Sequence, residues 1–282
     1  MKKVVFLLLA IIVGFGGSQA QEVLDGAFIK ETAPTRRVVP YTHVREADVF
    51  YYKRLWRTID LREKMNYPLY FPVQPIKEIG YERISLFDLL KRSIEEGTIT
   101  AYKEEDDGGQ FRTPLTKDEA MSELEKEISS MSIDPETGLE VETSYTESLT
   151  ADKITEYYIK EDWFFDRERS VMEVRIIGIL PVASIPNTET GQTDKKGLFW
   201  IYFPEARYVF ANNETYNPHN DGSRLTFEDL FRKRVFSSYI YRETNVYDNR
   251  ILDSYVKGID RLLEARRIEQ EVINFEHDLW QF

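Results

Sequence analysis

The chain has 282 residues, no cysteine, 13% aromatic residues and a formal net charge of −12 at pH 7. The lack of cysteine excludes disulfides, thiolate metal sites, thiol catalysis and the acylated cysteine of a lipoprotein. The acidic balance argues against nucleic acid and anionic lipid as main ligands, because both attract cationic proteins.

Residues 1–20 have the plan of a secretory signal peptide. A basic start precedes an apolar run over 4–13 and a small-residue cleavage site at Ser18-Gln19-Ala20. An uncleaved membrane anchor is the alternative, but the run is shorter than the ~20 residues that span a bilayer. We therefore expect cleavage near Ala20 and a periplasmic protein that begins at Gln21.

Residues 21–45 show neither a helical nor a strand period and contain Pro34 and Pro40, which predicts an extended arm. Its apolar content favours docking on a neighbouring chain over a free tail. Arg36 and Arg37 form a local basic patch that could dock an acidic partner.

Residues 46–66 are predicted to form the first helix, because Val49, Tyr52, Trp56 and Ile59 recur at three- and four-residue spacing. Pro68 is expected to end this element. The helix would carry an outward basic face with Lys53, Arg54 and Arg57, and an aromatic segment would follow it over 67–71. Trp56, which belongs to this apolar stripe, is interpreted either as a core residue or as an anchor for a partner protein.

Two further helices are predicted from their caps. Ser85 can cap a helix that ends at Gly97, before a strand over 98–102, and Thr116 opens a capping box with Glu119. Residues 131–150 are acidic and are interpreted as a loop or insertion. Strands are predicted at 154–159, 163–167, 171–180 and 198–203 from their β-branched and aromatic content.

The segment 224–233 repeats the residue types of 83–92, and in both cases a capped helix leads to a strand. The units 83–102 and 224–241 are either an internal duplication or two ordinary capping boxes. A long helix is predicted from 249 to 275, with Ile251, Tyr255, Ile259, Leu262, Leu263, Val272 and Phe275 as its buried stripe. The fold class is therefore α+β: a mostly antiparallel sheet with several packed helices in one domain over 46–282, an extended N-terminal arm and a long C-terminal helix.

Sequence motifs for catalysis or metal binding are weak. The sequence contains neither Gly-x-Ser-x-Gly nor His-Glu-x-x-His, and His43, His219 and His277 stand far apart. Residues 217–228 have the Gly and final Glu of an EF-hand loop, but Asn217 and His219 replace acidic ligands, and an Asx-rich turn before the Thr226 helix cap explains the same residues. We predict no catalytic residue, no cofactor and no metal.

Several long strings resemble the gliding-motility protein N family, GldN or PorN, of the type IX secretion system. They are Arg45-Glu-Ala-Asp-Val49, Lys53-Arg-Leu-Trp-Arg-Thr-Ile-Asp-Leu-Arg-Glu-Lys-Met-Asn66, Pro68-Leu-Tyr-Phe-Pro72, Ser85-Leu-Phe-Asp88, Gly97-Thr-Ile-Thr-Ala-Tyr102 and Thr113-Pro-Leu-Thr116. The resemblance covers the chain, most strongly over 25–116 and least over 131–150.

The resemblance implies a non-enzymatic periplasmic subunit at the inner face of the outer membrane. It would form a ring with an outer-membrane lipoprotein of the GldK or PorK type, and the trans-periplasmic component GldM or PorM is a further candidate partner. An exported hydrolase or a periplasmic ligand-binding protein is the alternative. The candidate partner-interface residues are Arg36, Arg37, Arg45, Lys53, Arg54, Arg57, Tyr67, Tyr70 and Phe71.

Overall fold

The computed structural model describes residues 36–78, 81–104, 109–133, 140–186, 193–220, 222–246 and 252–279. The chain divides into two compact units, Met1–Ala33 with Glu78–Tyr81 and Pro34–Lys77 with Glu82–Phe282. Nearly all described residues belong to the second unit. The predicted signal peptide and residues 21–35 of the predicted arm lie outside the described residues.

Strands and helices alternate irregularly along the chain. The strands are β1 (Val49–Asp60), β2 (Ile76–Glu78), β3 (Tyr81–Arg83), β4 (Ala101–Lys103), β5 (Glu125–Ile133), β6 (Glu140–Ser148), β7 (Ile154–Asp166), β8 (Val171–Pro186), β9 (Thr193–Gly197), β10 (Phe199–Tyr202), β11 (Glu214–Thr215), β12 (Leu225–Thr226) and β13 (Tyr239–Glu243). The α-helices are α1 (Tyr67–Tyr70), α2 (Leu86–Glu95), α3 (Lys117–Glu123), α4 (Phe203–Asn212), α5 (Phe227–Arg232) and α6 (Ile259–Asp278). Short 3-10 helices lie at Glu46–Asp48, Lys64–Asn66, Ala151–Lys153 and Leu252–Ser254.

One seven-stranded sheet organises the fold. Its order is β13-β1-β7-β8-β10-β4, and β9 pairs with β8 off this path. Its neighbouring strands pair in antiparallel fashion. The fold is therefore α+β with a mostly antiparallel sheet, packed helices and a C-terminal helix, as the sequence predicts.

The predicted first helix is wrong, because Val49–Asp60 forms the strand β1. This strand lies between β7 and β13, and five consecutive residues, from Leu55 to Ile59, are buried. An interior strand buried on both faces does not show the alternation of a half-exposed strand. Its apolar residues can then fall by chance at helical spacing. Trp56 is 3% exposed and belongs to the core.

The predicted helix caps are confirmed. Ser85 accepts a hydrogen bond from the amide of Asp88 at the start of α2, and Thr116 forms a complete capping box with Glu119 at α3. Thr226 caps α5 through the amide of Asp229. After α2, Gly97 takes the left-handed conformation with φ 73°, which glycine adopts without steric cost.

Apolar side chains pack on both faces of the sheet. The main core joins α2, α4 and α5 to residues such as Ile179, Phe199 and Ile201. Alternation along β8 and β10 places Leu180 and Trp200 on the opposite face, in a cluster with Trp56. A third cluster lies under α6.

The acidic segment interpreted as a loop forms a ribbon instead. Strand β5 pairs with β6 from Glu125–Ser148 to Ile133–Glu140, so the loop interpretation is wrong for 131–133 and 140–148. Backbone pairing does not require the long apolar runs by which buried strands are recognised in a sequence. Residues 134–139 lie outside the described residues.

The C-terminal helix is confirmed but starts later than predicted, at Ile259. Its buried residues are Ala265, Ile268 and Val272. Four residues of the predicted stripe are exposed instead: Tyr255 by 45%, Ile259 by 77%, Leu262 by 49% and Leu263 by 59%. Ile251 lies outside the described residues. The predicted duplication of helix and strand stays a prediction, although the two strands concerned, β4 and β13, lie at opposite ends of the sheet order.

The described part of the arm, residues 36–45, has no helix or strand and packs on its own unit. The Tyr41 ring lies 4.0 Å from the guanidinium of Arg207 and 5.0 Å from that of Arg175. Arg207 also donates to the carbonyl of Val39, and Arg175 to that of Thr42. The predicted docking of the arm on a neighbouring chain stays a prediction.

Candidate functional site: an aromatic cleft at the end of the first strand

A cleft with a volume of about 630 Å³ opens where β1 ends. Distant parts of the chain line it: the exit of β1 with α1, the start of β7, and the residue after β11. The lining residues are Leu61, Arg62, Tyr67, Tyr70, Phe71, Asp152, Ile154, Thr155 and Tyr216.

The aromatic wall is carried by α1. Pro68 lies in the first turn of this helix, where an amide has no intrahelical partner to lose, so the prediction that Pro68 ends a helix is wrong. Leu69 is fully buried in the main core and so anchors α1 to it. Tyr67 and Phe71 stay 49% and 39% exposed at the rim of the cleft.

Asn66 anchors this turn to the sheet. Its side-chain amide donates to the carbonyls of Asp60 at 2.8 Å and Ser237 at 3.0 Å, while the amide of Ser237 donates to Asn66 Oδ1 at 2.8 Å. The hydroxyl of Thr215 donates to the carbonyl of Pro68. These bonds fix the aromatic wall relative to β1 and β13.

The facing wall comes from β7 and from the residue after β11. The amide of Leu61 donates to the carbonyl of Thr155 at 3.0 Å, which holds the end of β1 against β7. The ring of Tyr216 meets that of Phe71 edge-on, with centroids 5.2 Å apart and planes at 65°. The guanidinium of Arg83 lies 5.5 Å from the Tyr216 ring.

The carboxylates of Asp60 and Asp152, at or beside the cleft, already accept hydrogen bonds from within the chain. Arg62 hydrogen-bonds Asp60 through two nitrogens, and this bond lowers the pKa of the Asp60 carboxyl. The hydroxyl of Thr150 donates to Asp152 and lowers the pKa of that carboxyl. Asp60 therefore has a charged partner in Arg62, while Asp152 has a neutral donor in Thr150.

Several hydroxyls at the cleft have no hydrogen-bond partner among the described residues. Thr155 Oγ1 is buried without a hydrogen bond within the described chain. In the same described ranges, the hydroxyls of Tyr67, Tyr70 and Tyr216 make no hydrogen bond either. The described lining residues include no histidine, cysteine or serine, so Ser-His and Cys-His pairs of nucleophile and base are absent among them. The cleft offers apolar rings and unpaired hydroxyls, which suit binding.

The predicted outward basic face is wrong. Alternation along β1 directs Lys53 and Arg57 to one side of the sheet and Arg54 to the other. Lys53 pairs with Glu243 at 2.7 Å, and Arg54 binds Asp162 through two nitrogens at 2.6 and 2.9 Å.

Arg57 is 6% exposed and donates to Glu269 of α6 at 2.8 Å. It also donates to the hydroxyl and the carbonyl of Ser238, at 2.8 and 3.1 Å. A buried arginine bound to its own chain supports the fold, and its predicted role at an interface stays untested.

The other predicted interface residues are spread over the surface. Arg36 pairs with Asp229 at 2.9 Å, Arg45 pairs with Asp48 at 2.7 Å, and Arg37 is exposed. The structure brings together Tyr67, Tyr70 and Phe71 and does not bring the basic residues to them.

The remaining candidates for chemistry are exposed: His43, His219 and His277. Asx turns are present at Asn217 and Asn220, which accept from the amides of His219 and Gly222; Asp221 lies outside the described residues. Within the described ranges, no group of three or more His, Cys, Asp or Glu is placed to hold a metal ion. None of the helices described there is long and apolar enough to span a bilayer.

Sequence reasoning missed Leu61, Arg62, Asp152, Ile154, Thr155 and Tyr216 as cleft residues. Leu61 and Arg62 lie in the string 53–66 that carries the family resemblance, which marks no single residue as lining a cleft, and the other four come from segments that reach the cleft only in the folded chain. The tyrosines of α1 were found because they stand together beside two prolines.

The fold and the site define an α+β protein with a solvent-open aromatic cleft. The family model of the gliding motility associated protein GldN matches residues 44–281. The match spans most of the chain, so this chain belongs to the GldN family, whose members are components of gliding motility and type IX secretion. No match was found among curated proteins.

Proposed function

We propose that the chain is a non-enzymatic structural subunit of the type IX secretion machinery, exported to the periplasm and held against the inner face of the outer membrane. In this proposal it assembles into a ring with an outer-membrane lipoprotein of the GldK or PorK type. Membership of the GldN family over residues 44–281 is the observation that carries the proposal.

The aromatic cleft supports a role in protein contacts. Aromatic residues are enriched at the energetic centres of interfaces, and Tyr67 and Phe71 stay half exposed at its rim. Repeated heterologous contacts close a ring when the rotation per subunit permits it. GldM or PorM, on the side of the energising complex, is a second candidate partner.

Photo-crosslinking in cells tests this proposal. A photoreactive residue at Tyr67 or Phe71 should crosslink to the lipoprotein or to another copy of the chain. The same residue at Tyr208, which is 61% exposed on α4, serves as the comparison for random collisions. Deletion of the gene should abolish secretion through the system. A deletion strain with normal secretion, or a chain that never co-purifies with the lipoprotein, contradicts the proposal.

A periplasmic ligand-binding protein is the second candidate. Its support is the cleft volume of about 630 Å³, which lies within the range of small-molecule sites, roughly 300–1,000 Å³. A small ligand that raises the melting temperature of the wild type but not of a Tyr70→Ala variant would favour it. A hydrolase has less support, since the cleft lacks a histidine, cysteine or serine.

A further inference from the structure

We propose that the outer face of the C-terminal helix α6 binds a second copy of the chain, with the two helices running antiparallel. This contact goes beyond the proposed function, because it joins two identical copies through one helix and involves neither the lipoprotein nor the cleft. It follows from the apolar residues that α6 leaves exposed, from two charges beside them that have no partner among the described residues, and from the order of these residues along the helix.

Helix α6 carries apolar side chains on two faces. Ala265 and Ile268 are buried in the cluster that α6 forms with β1 and β13. Ile259 and the leucine pair, Leu262 and Leu263, are exposed, and their three- and four-residue spacing places them on one side of the helix. An amphipathic helix that packs only on its own domain has a polar outer face. The exposed apolar side chains of α6 therefore mark a surface that a partner can cover.

Two opposite charges lie on either side of the leucine pair in sequence. Asp260 precedes the pair and Arg266 follows it, and both side chains are exposed. Neither makes a hydrogen bond or an ion pair with another residue of the described ranges. Neighbouring charges on the same helix are engaged: Arg267, for example, pairs with Glu264 and Glu271. The outer face thus offers one acidic and one basic group to a partner.

The order of acid, leucine pair and base is self-complementary. When a second α6 runs antiparallel, with the two-fold axis between Leu262 and Leu263, the leucine pair of one helix packs on that of the other. Ile259 then lies opposite Arg266 of the second copy, whose aliphatic stem can cover it. The guanidinium at the end of that stem can reach Asp260, the next residue along. By symmetry the same contacts form twice, so both charges on each helix gain a partner.

Other occupants fit the charges of this face less well. A parallel copy would bring Asp260 to Asp260 and Arg266 to Arg266, and like charges at such positions repel. A helix that lies on an anionic membrane carries Lys and Arg along its polar face, whereas this chain has a net charge of −12 and would be repelled as a whole. The antiparallel second copy is the occupant that pairs both charges.

The contact is small. It is made by three apolar side chains from each copy and by two ion pairs, which is less than the roughly 800 Å² per partner of a stable interface. We therefore expect a weak dimer, with a dissociation constant in the micromolar range or above. Such a contact is populated where copies are held close together, as in an assembly.

Cysteine crosslinking tests the position of the axis, because the chain has no native cysteine. The cysteine of Leu263→Cys lies next to the axis, so mild oxidation should join two copies. Ile273→Cys is the matched control: Ile273 is also exposed on α6, but the helical rise would put the two copies of this residue about 30 Å apart. Since disulfides form only when Cα atoms approach within about 7 Å, we expect at least about tenfold more dimer from Leu263→Cys. Equal yields, or no dimer from Leu263→Cys, overturn the inference.

Charge reversal tests the pairing. Asp260→Arg and Arg266→Asp should each raise the dissociation constant of the dimer by about tenfold, because two like-charge contacts replace two ion pairs. The double variant Asp260→Arg/Arg266→Asp should dimerise like the wild type. A mixture of the two single variants should also associate, because each then carries the charge that the other needs. Sedimentation velocity measures the dissociation constants, and circular dichroism checks that each variant is folded.

Three outcomes separate this inference from its alternatives. If the double variant dimerises no better than the single variants, the antiparallel pairing is wrong. If the chain binds vesicles of anionic lipid and Leu263→Asp abolishes that binding, a membrane is the occupant and the inference fails. Co-purification with the lipoprotein is a separate measurement: its failure rejects the proposed function, whereas absence of the dimer rejects the self-contact alone.

Discussion

Asn66 and Ser237 hydrogen-bond each other twice across 171 residues of sequence, at 3.0 Å and 2.8 Å. Asn66 is fully buried, and its third bond reaches the carbonyl of Asp60. One side chain thus satisfies three backbone groups and joins the aromatic turn α1 to the segment before β13. The shape of the cleft depends on this junction.

Asn66→Ala should lower the free energy of unfolding by about 2 kcal/mol, because it leaves the carbonyl and the amide of Ser237 without their partner and removes one of the two bonds to the carbonyl of Asp60, which keeps the amide of Glu63. Equilibrium urea unfolding measures the change. Asn220→Ala is the matched control: it removes an exposed Asx turn and should cost less than about 1 kcal/mol. Equal losses in the two variants would contradict the anchoring role of Asn66.

Arg57 offers a second test, since it was predicted as an outward interface residue and is found buried on Glu269 and Ser238. Arg57→Ala should lower the free energy of unfolding by about 2 kcal/mol, because it empties a buried site and removes the hydrogen bonds to Ser238 and to the Glu269 carboxylate, which is itself 43% exposed. The exposed Arg37→Ala should change it by less than about 0.5 kcal/mol. Thermal unfolding of both variants distinguishes a folding role from a pure interface role, which would leave the stability of Arg57→Ala unchanged.

Much of the fold could be predicted from local signals in the sequence. Ser85, Thr116 and Thr226 were predicted as caps because a cap and its partner lie three residues apart. The strand β1 was missed because its two faces are covered by residues from distant parts of the chain, such as Ile268 of α6 beside Leu55 and Trp200 beside Trp56, which no local pattern reports. The same reasoning found Tyr67 and Phe71 but not Thr155, which reaches the cleft only through strand pairing.

The buried pair of Arg207 and Glu228 joins α4 to α5 at 2.6 Å, with the two side chains only 7% and 11% exposed. Arg207→Met should cost about 3–5 kcal/mol of unfolding free energy, because it leaves an uncompensated buried carboxylate. The double variant Arg207→Met/Glu228→Leu should recover part of this loss, since no charge then stays buried alone. A double-mutant cycle measures the coupling, and a double variant as unstable as the sum of the singles would contradict it.

Gly178 lies under the ring of Phe111, and a Cβ at this position would stand 2.5 Å from Phe111 Cζ. Gly178→Ala should therefore cost about 2 kcal/mol through overpacking. Phe111→Leu removes the clashing ring edge, so the double variant should be less unstable than the two single changes added together. Urea unfolding of all three variants checks this, and strict additivity would show that the two residues do not press on each other.

Tyr52 should make the protein less stable at alkaline pH. Burial, and then the Asp162 carboxylate, raise the pKa of Tyr52 from 10.0 to about 12. The contribution of the neutral Tyr52 hydroxyl to the free energy of unfolding is fully present below pH 10. It is lost as the pH rises from about 10 to about 12, because the unfolded chain releases the proton first. Urea unfolding between pH 9 and pH 11.5, with tyrosinate absorbance followed in parallel, should show a smaller loss of stability with pH for Tyr52→Phe than for the wild type. If Tyr52→Phe keeps the wild-type slope, the Tyr52 hydroxyl does not titrate in the raised range.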